Sequence, residues 1–317
     1  MEGKLKKNIL ITAIGSFSAE AVTNSLKNIN CKVIGCDIYP KEWHYLVKKL
    51  DNFYQVPLAI KEKEYINKII EICKEEKIDF IFPLTDIEID VFNNNRNIFK
   101  ELKIKVCIQS ESALEIARDK YKLFEKFNDT KVEVIPTYLY DKIEELNIFP
   151  YIAKPKNGRS SEGLLKIKQK KEFGQIENLN NYIIQEYVDG NIIVVDYIRN
   201  LKTKQDFSVI RKELIRTKNG AGIVVEVFEN EKISELSSYI GNKLNVNGCI
   251  CMEFIEKNGK YYIMDINPRF SAGTAFTQIS GYDIVKNHLN CFLNREIDLP
   301  IKIAKRIITK RYVEEIL

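Results

Sequence analysis

Between residues 7 and 108, short apolar runs alternate with amphipathic stretches. KNILITA reads as a buried strand, SAEAVTNSLKN as a helix and CKVIGCD as a second strand. KEYINKIIEICKEEK and IEIDVFNNNRNIFKEL carry apolar residues at helical spacing, while DFIFPL and KVCIQ are short strand-like runs. Strand–helix–strand repetition predicts a parallel sheet with helices on both faces. From Ser112 the texture changes. ESALEIARDKYKLFEKF predicts a helix and VIPTYLY a strand, and PYIAKPKNGRSSEGLLKIK predicts two strands around a polar loop. After YIIQEYVDG, the runs NIIVVDYIR, DFSVIRKELI and GIVVEVF predict antiparallel strands. The helix KISELSSYIGNKL then precedes a hairpin, CICMEFIEKNGKYYIMDINPR, turning at KNGK. A helix, YDIVKNHLNCFL, and a short basic segment follow. The fold class is α/β and α+β, with an open parallel α/β domain over residues 1–111.

Composition narrows the function classes. With 317 residues the chain can bury a sizeable core, and 45% hydrophobic and 29% charged residues are ordinary for a globular protein. The formal charge of +5 is spread among 49 basic and 44 acidic residues, too diffuse for a nucleic-acid-binding surface. Seven scattered cysteines and two histidines give no zinc-like spacing. Buried, reduced cysteines in a cytoplasmic protein are expected. The apolar run Ile9–Ile14 is too short for a signal peptide, and no run reaches the length of a membrane span.

The chemistry concentrates in three places. In MDINPRFSAG, alternation puts Asp265, Asn267 and Arg269 on one strand face, and the hairpin brings Glu253 next to Asp265. Like charges so placed repel unless a cation bridges them; two carboxylates and an amide oxygen suit a hard ion such as Mg²⁺. A solvated hairpin explains the same residues without metal. KPKNGRSSEG can fold over phosphates, with Lys154 as point charge, or can be an ordinary polar loop. QEYVDG is a linker that can read an adenine edge through backbone groups, with Glu186 accepting from the amine. The first turn, AIGSFSAEA, has one glycine where a dinucleotide fingerprint wants three, so Gly15 is expected only to permit a sharp turn. Asp37 falls where a ribose-binding acid would sit, a role the missing glycines argue against.

In combination, these motifs resemble the ATP-grasp enzymes, among them biotin carboxylase and D-alanine–D-alanine ligase, and most closely the carbamoyl phosphate synthetase large-chain-like proteins. The resemblance covers nearly the whole chain. It implies an amino-terminal domain, a central lid over 112–184 and a nucleotide- and metal-holding part over 185–317. It implies that Lys120 and Lys154 approach the phosphates of ATP beneath a mobile loop from Gly158 to Gly163 that includes Ser160 and Ser161. Gln185, Glu186, Tyr187 and Val188 match the adenine-contacting linker. Glu253, Asp265 and Asn267 match the ligands of one or two Mg²⁺ ions, with Mn²⁺ able to substitute. Arg211 matches an arginine facing the transferred phosphate, with Arg216 nearby, and Arg269 matches the arginine that follows the metal triad; both Arg211 and Arg269 are expected to stabilise the oxyanion of the second step. Relatives carry a ribose-binding Glu near Ile192, a Glu at Asp265 and a second Arg at Glu213, and this chain departs from them at all three.

The resemblance implies an ADP-forming ligase that phosphorylates a carboxylate and passes the acyl phosphate to an amine. An amino-acid substrate is expected, bound between the first domain and Ser271–Thr274, which includes Gly273. Asp86 and Glu88 fit a substrate ammonium or a helix amino-terminal cap equally well. Tyr39 and Trp43 read as substrate contacts or, more commonly, as partly buried aromatics. The rival readings are a phosphotransferase or carbamoyl-phosphate-type enzyme, a nicotinamide-dependent oxidoreductase and a non-catalytic nucleotide-binding module. No nucleic-acid or membrane partner is expected, and an open α/β edge leaves room for a homodimer.

Overall fold

In the computed structural model, which describes residues 6–158, 162–300 and 302–316, the amino-terminal runs form a five-stranded parallel sheet. Its order is Asn52–Gln55, Lys32–Asp37, Asn8–Ile11, Phe80–Phe82, Lys105–Val106. The direction of winding reverses at Asn8–Ile11, which opens a crevice between the turns that follow Ile11 and Phe82. Alternation along this strand feeds two cores. Ile9 and Ile11 pack with Val22 and Leu26 of the helix Ala19–Asn28 and with Ile284 and Leu289 of the helix Ile284–Phe292. Leu10 joins Ile69 and Phe92 of the helices Glu62–Glu75 and Asp86–Asn94 on the opposite face.

The largest sheet has seven strands in the order Arg306–Thr309, Gly222–Phe228, Asp206–Arg216, Asn191–Arg199, Gly248–Lys257, Lys260–Asn267, Glu133–Val134. All pairs are antiparallel except the last. The helices Glu111–Ala117, Lys120–Phe127 and Glu231–Lys243 cover one face, burying Val195 and Tyr197; Ile198 faces the core shared with the first domain. A four-stranded antiparallel sheet, Thr137–Tyr138, Tyr182–Glu186, Tyr151–Pro155, Leu165–Ile167, has its own core around Ile143, Tyr151, Phe173 and Ile184. The strand Tyr182–Glu186 runs through the position between residues 184 and 185, and its end leads into the linker.

The structure divides three stretches that look continuous in sequence. ESALEIARDKYKLFEKF forms two helices, because the Asp119 carboxylate accepts from the Tyr121 and Lys122 N–H groups and starts a new helix. IEIDVFNNNRNIFKEL breaks at Asn95. VIPTYLY breaks at Pro136, with Glu133–Val134 pairing in the large sheet and Thr137–Tyr138 in the small one. Two further strands, Asn52–Gln55 and Arg306–Thr309, are sheet edges with mostly exposed side chains, so no apolar run marks them. The seven cysteines are all unpaired and buried, and among the described residues no helix is long and apolar enough to cross a membrane.

The helix Glu231–Lys243 lies against the sheet at Gly241, where a Cβ would fall 2.2 Å from the Tyr197 ring. Tyr197 is held in place by its hydroxyl, which donates to Asp206 at 2.8 Å. Gly241→Ala should therefore lower stability by ~1–3 kcal/mol. At an exposed helical site the same change should raise it by up to ~1 kcal/mol. A urea unfolding midpoint distinguishes the two signs.

Candidate functional site

All three sheets border one cleft of about 760 Å³. The first domain contributes the turns at Gly15–Ser18 and Leu84–Ile87, and the small sheet contributes Lys154 and Pro155. The linker Gln185–Gly190, the hairpin carboxylates and the loop Arg269–Gly273 complete the wall.

The hairpin is set by its turn. Lys257 pairs with Lys260, and Asn258 and Gly259 take φ of 52° and 74°, the left-handed pair that a two-residue hairpin requires. In this register Glu253 lies opposite Asp265 and Cys251 opposite Asn267. A bulge follows, since Phe254 pairs with Ile263 and leaves Met264 extra. Consequently the neighbours Met264 and Asp265 both line the cleft, which strict alternation would forbid.

Each arginine at this end of the cleft has an acidic partner. Arg211, only 2% exposed, donates to Asp196 at 2.8 Å, to Ser271 at 3.1 Å and to Glu213 at 3.3 Å. Arg216 donates to Glu253 at 2.9 Å and lies 3.7 Å from Glu213. Asn267 donates to Glu253 at 3.3 Å and accepts from Arg269 at the same distance. Arg269 reaches across to the first domain, donating to Asp86 at 3.0 and 3.1 Å. Arg118 lies 3.7 Å from Asp86 and pairs with Asp90. Burial is the largest single influence on Arg211 and opposes its charge, but Asp196, Glu213 and the other groups around it together outweigh it and hold the guanidinium above its ordinary pKa. The same balance, with Asp86 as the acid, raises Arg269. Burial pushes the Glu213 carboxyl up against the opposing pull of Arg211 and Arg216.

Glu253 and Asp265 are thus side by side, each already neutralised by a protein cation: Arg216 for the first and Lys120, at 3.3 Å, for the second. Among the described residues no cluster of three or more His, Cys, Asp or Glu is placed to hold a metal. The carboxylate pair with the Asn267 amide fits the sparse oxygen set that Mg²⁺ takes when phosphates fill the rest of its shell.

The two lysines of the cleft differ. Lys120, at the start of its helix, donates to the Gly158 carbonyl at 2.7 Å. Lys154 is 7% exposed, and among the described residues no group hydrogen-bonds or ion-pairs with its ammonium. Burial pushes it down to about 8, with Asp265 pulling the other way and Lys120 adding to the shift. Ser160 and Ser161 lie outside the described residues. Gly158 lines the cleft; Gly163, with φ of 68°, turns the chain beside it.

At the other end, Ile135, Ile152, Ile192, Ile255 and Met264 form an apolar slot next to the linker. The Gln185 amide is engaged by Thr137 at 2.8 Å, and the Glu186 carboxylate accepts from Tyr138 at 3.1 Å. The Tyr187 ring carries the Lys166 ammonium at 3.4 Å. The Val188 N–H donates to no described residue.

Some expected residues take other roles. Glu88 is buried and does not line the cleft; it accepts from the Thr85 hydroxyl at 2.7 Å and from Tyr65 at 2.9 Å, closing a capping box. Burial raises its pKa. Asp86 does line the cleft, bonded to Arg269. Asp37 accepts from the Gly15 N–H at 2.9 Å, so it braces the first turn. Tyr39 and Trp43 are exposed rather than partly buried. Asp196 was not singled out in the sequence, although a lone carboxylate inside NIIVVDYIR is a signal that something must pair with it.

Residues 117–273 match the model of the ATP-grasp domain, and residues 9–107 match the PylC-like amino-terminal domain. The chain carries an ATP-grasp domain behind a PylC-like amino-terminal domain. Its relatives include an uncharacterized protein of Methanocaldococcus jannaschii, 28% identical over 289 residues (84% of this chain, 68% of that protein). The tyramine–L-glutamate ligase of the same organism is 26% identical over 222 residues (67% of this chain, 62% of that one). The matched regions thus cover about two thirds of these relatives' own length. Biotin carboxylase from Campylobacter jejuni, solved as a β,γ-ATP complex, superposes with a TM-score of 0.79 at 19% identity, over 94% of this chain and 73% of that one. L-amino acid ligase from Bacillus licheniformis superposes with a TM-score of 0.70 at 14% identity, over 90% and 74%.

Two outcomes follow for this ATP-grasp site. A Cβ on Gly273 would stand 2.7 Å from the Arg211 guanidinium, which has no room to retreat. Gly273→Ala should disrupt the Arg211–Ser271 contact and lower ATP turnover by roughly 10²-fold or more, with little change in ATP affinity; steady-state kinetics separates the two. Lys154, at about 8, loses its charge in the free protein as pH rises through that value. A bound polyphosphate favours the charged form. ATP affinity should therefore fall between pH 7 and 9, approaching tenfold per unit above the pKa, with proton uptake on binding. Calorimetry in buffers of different ionisation enthalpy reads the uptake, and Lys154→Met should remove the slope.

Proposed function

We propose that the chain is an ATP- and Mg²⁺-dependent ligase that joins a carboxylate to an amine, releasing ADP and phosphate. The observation that carries this reading is the row of paired charges along one end of the cleft. Arg216, Arg269 and Lys120 meet two carboxylates and an amide there, Arg211 and Lys154 line the same cleft, and apolar side chains line its other end beside the linker.

A carboxylate is a poor electrophile, and transfer of the γ-phosphoryl group converts it to an acyl phosphate with a good leaving group. Glu253, Asp265 and Asn267 would hold one or two Mg²⁺ ions, or Mn²⁺ in their place, which supply charge neutralisation at the phosphates. Lys120 and Lys154 bind the phosphates of ATP, and the linker at Gln185–Val188 receives the adenine against Ile152, Ile192 and Ile255. Arg211, fixed by Asp196 and Ser271, and Arg269, fixed by Asp86, present cations to the transferred phosphoryl group and then to the oxyanion formed when the amine attacks. Arg216 exchanges its Glu253 partner for phosphate as the site fills. The small sheet excludes water, which would otherwise hydrolyse the acyl phosphate. The loop Ser271–Gly273 leaves room beside the γ-phosphate for the acceptor. An amino-acid substrate is supported by the names of the relatives, a tyramine–L-glutamate ligase and an L-amino acid ligase.

The test is ADP and phosphate release from MgATP across amino acids and amines, singly and in pairs, beginning with L-glutamate plus tyramine. Release should require one acid together with one amine, and Asp265→Asn should lower it by roughly a hundredfold or more. Release driven by a single compound would favour a phosphotransferase. Nucleotide binding without release across the panel would favour a binding module.

A further inference from the structure

We propose that Lys310 is a positioning residue that locks the loop Ser271–Gly273 to the first domain and so shapes the end of the cleft that receives the acceptor. The inference rests on the ligase reading and deepens it at the acceptor end of the same site.

Lys310 follows the edge strand Arg306–Thr309, and its N–H donates to the Ile223 carbonyl at 2.9 Å, which fixes where its side chain departs. Its ammonium donates to the Ala272 carbonyl at 2.7 Å. It also lies 4.8 Å from the centre of the Phe17 ring and 5.3 Å from that of Phe276. Phe17 stands in the cleft-lining turn of the first domain, and Ala272 in the cleft-lining loop. Phe276 stands in the helix Thr274–Ile279, which that loop enters. One ammonium therefore touches cleft walls from both domains. An amide is planar, so holding the Ala272 carbonyl also aims the Gly273 N–H the opposite way. There it donates to the Ser271 hydroxyl at 3.0 Å, the same hydroxyl that takes the Arg211 guanidinium. Arg211 thus holds one residue of the loop and Lys310 the next. For stability alone the place suits a cation poorly. Burial and the nearby Arg211 lower the Lys310 pKa, with Glu213 opposing them. Among the described residues no carboxylate ion-pairs with it. A methionine would fill the space between the two rings without taking a charge out of water. The lysine adds a charge-assisted bond to one carbonyl and a cation against the rings, and both fix direction rather than fill volume.

Hydrogen exchange of the full chain with MgADP present, read by mass spectrometry, tests the lock without turnover. Lys310→Met keeps the length and the apolar contact but removes donor and charge; Lys310→Arg keeps both. Exchange in residues 270–276 and in residues 15–18 should speed up together in Lys310→Met, by roughly tenfold, and stay near the wild type in Lys310→Arg. Exchange in the strand Arg306–Thr309 and the affinity for MgADP should change by less than about twofold in both. Lys310→Met should also raise the KM for the acid and amine that drive ADP release by roughly tenfold, with kcat within about threefold. The kcat holds because Arg211 keeps Asp196 and Glu213. Phe17→Leu removes the ring from the other wall and should raise the same KM by roughly threefold or more. Exchange unchanged in either segment, a KM unmoved by both Lys310→Met and Phe17→Leu, or a Lys310→Arg variant as impaired as Lys310→Met would overturn the proposal. Failure of the ligase reading would appear separately, in the wild type, as ADP release that never requires an acid together with an amine.

Discussion

The site depends first on a buried ion pair. Arg211 and Asp196 stand on adjacent strands of the large sheet, 2% and 1% exposed, and each alone would face a penalty of roughly several kcal/mol for leaving water. Pairing removes most of that penalty only if the remaining polar atoms are also satisfied. Ser271 and Glu213 do this for Arg211; on Asp196, Arg211 and Thr277, the latter at 2.5 Å, both donate to Oδ2, and the buried Oδ1 has no hydrogen-bond partner among the described residues. The pair thereby fixes two strands, the loop of small residues and the helix Thr274–Ile279 in one arrangement. Gly273 is part of the same constraint, because the guanidinium occupies the volume of any side chain there.

From this anchor the charges alternate outward without a gap. Glu213, Arg216 and Glu253 lead to Asn267, then to Arg269, and the Arg269–Asp86 contact joins the large sheet to the first domain. Such a row holds cations in fixed places in the cleft before any ligand arrives. Binding then re-partners charges that are already in place, so little reorganisation is needed at the moment of reaction.

Much of this was legible in the sequence, for identifiable reasons. The hairpin register could be read because KNGK has the chemistry of a two-residue turn, so Glu253 had to fall near Asp265. The place of Lys154 beside the cleft could be read because it lies near the end of a strand that leads into a glycine-flanked loop. The two readings of Glu88 could not be separated, since a cap and a substrate contact demand the same acid at the same position; Thr85 and Tyr65 decide it. The bulge at Met264 left no trace, as a single residue shift is compatible with the same alternation. The edge strands Asn52–Gln55 and Arg306–Thr309 escaped because they bury too little to be apolar. The exposed stacking of Tyr39 on Trp43 escaped for the converse reason, because aromatic residues in a strand-to-turn segment ordinarily point inward.

The break at Pro136 has a mechanical consequence. The chain enters the small sheet through Ile135–Pro136, between a strand held in the large sheet and one held in the small, and leaves it through Tyr187–Gly190. Between these two passages the small sheet folds around a core of its own. Two tethers define an axis. Rotation about that axis is the cheap motion; translation and twist would stretch one tether or the other. The small sheet is therefore a leaf on a two-pin hinge, and because the apolar slot lies at the pins, a base seated there would stay nearly still while the far edge, the strand Leu165–Ile167, travels the most.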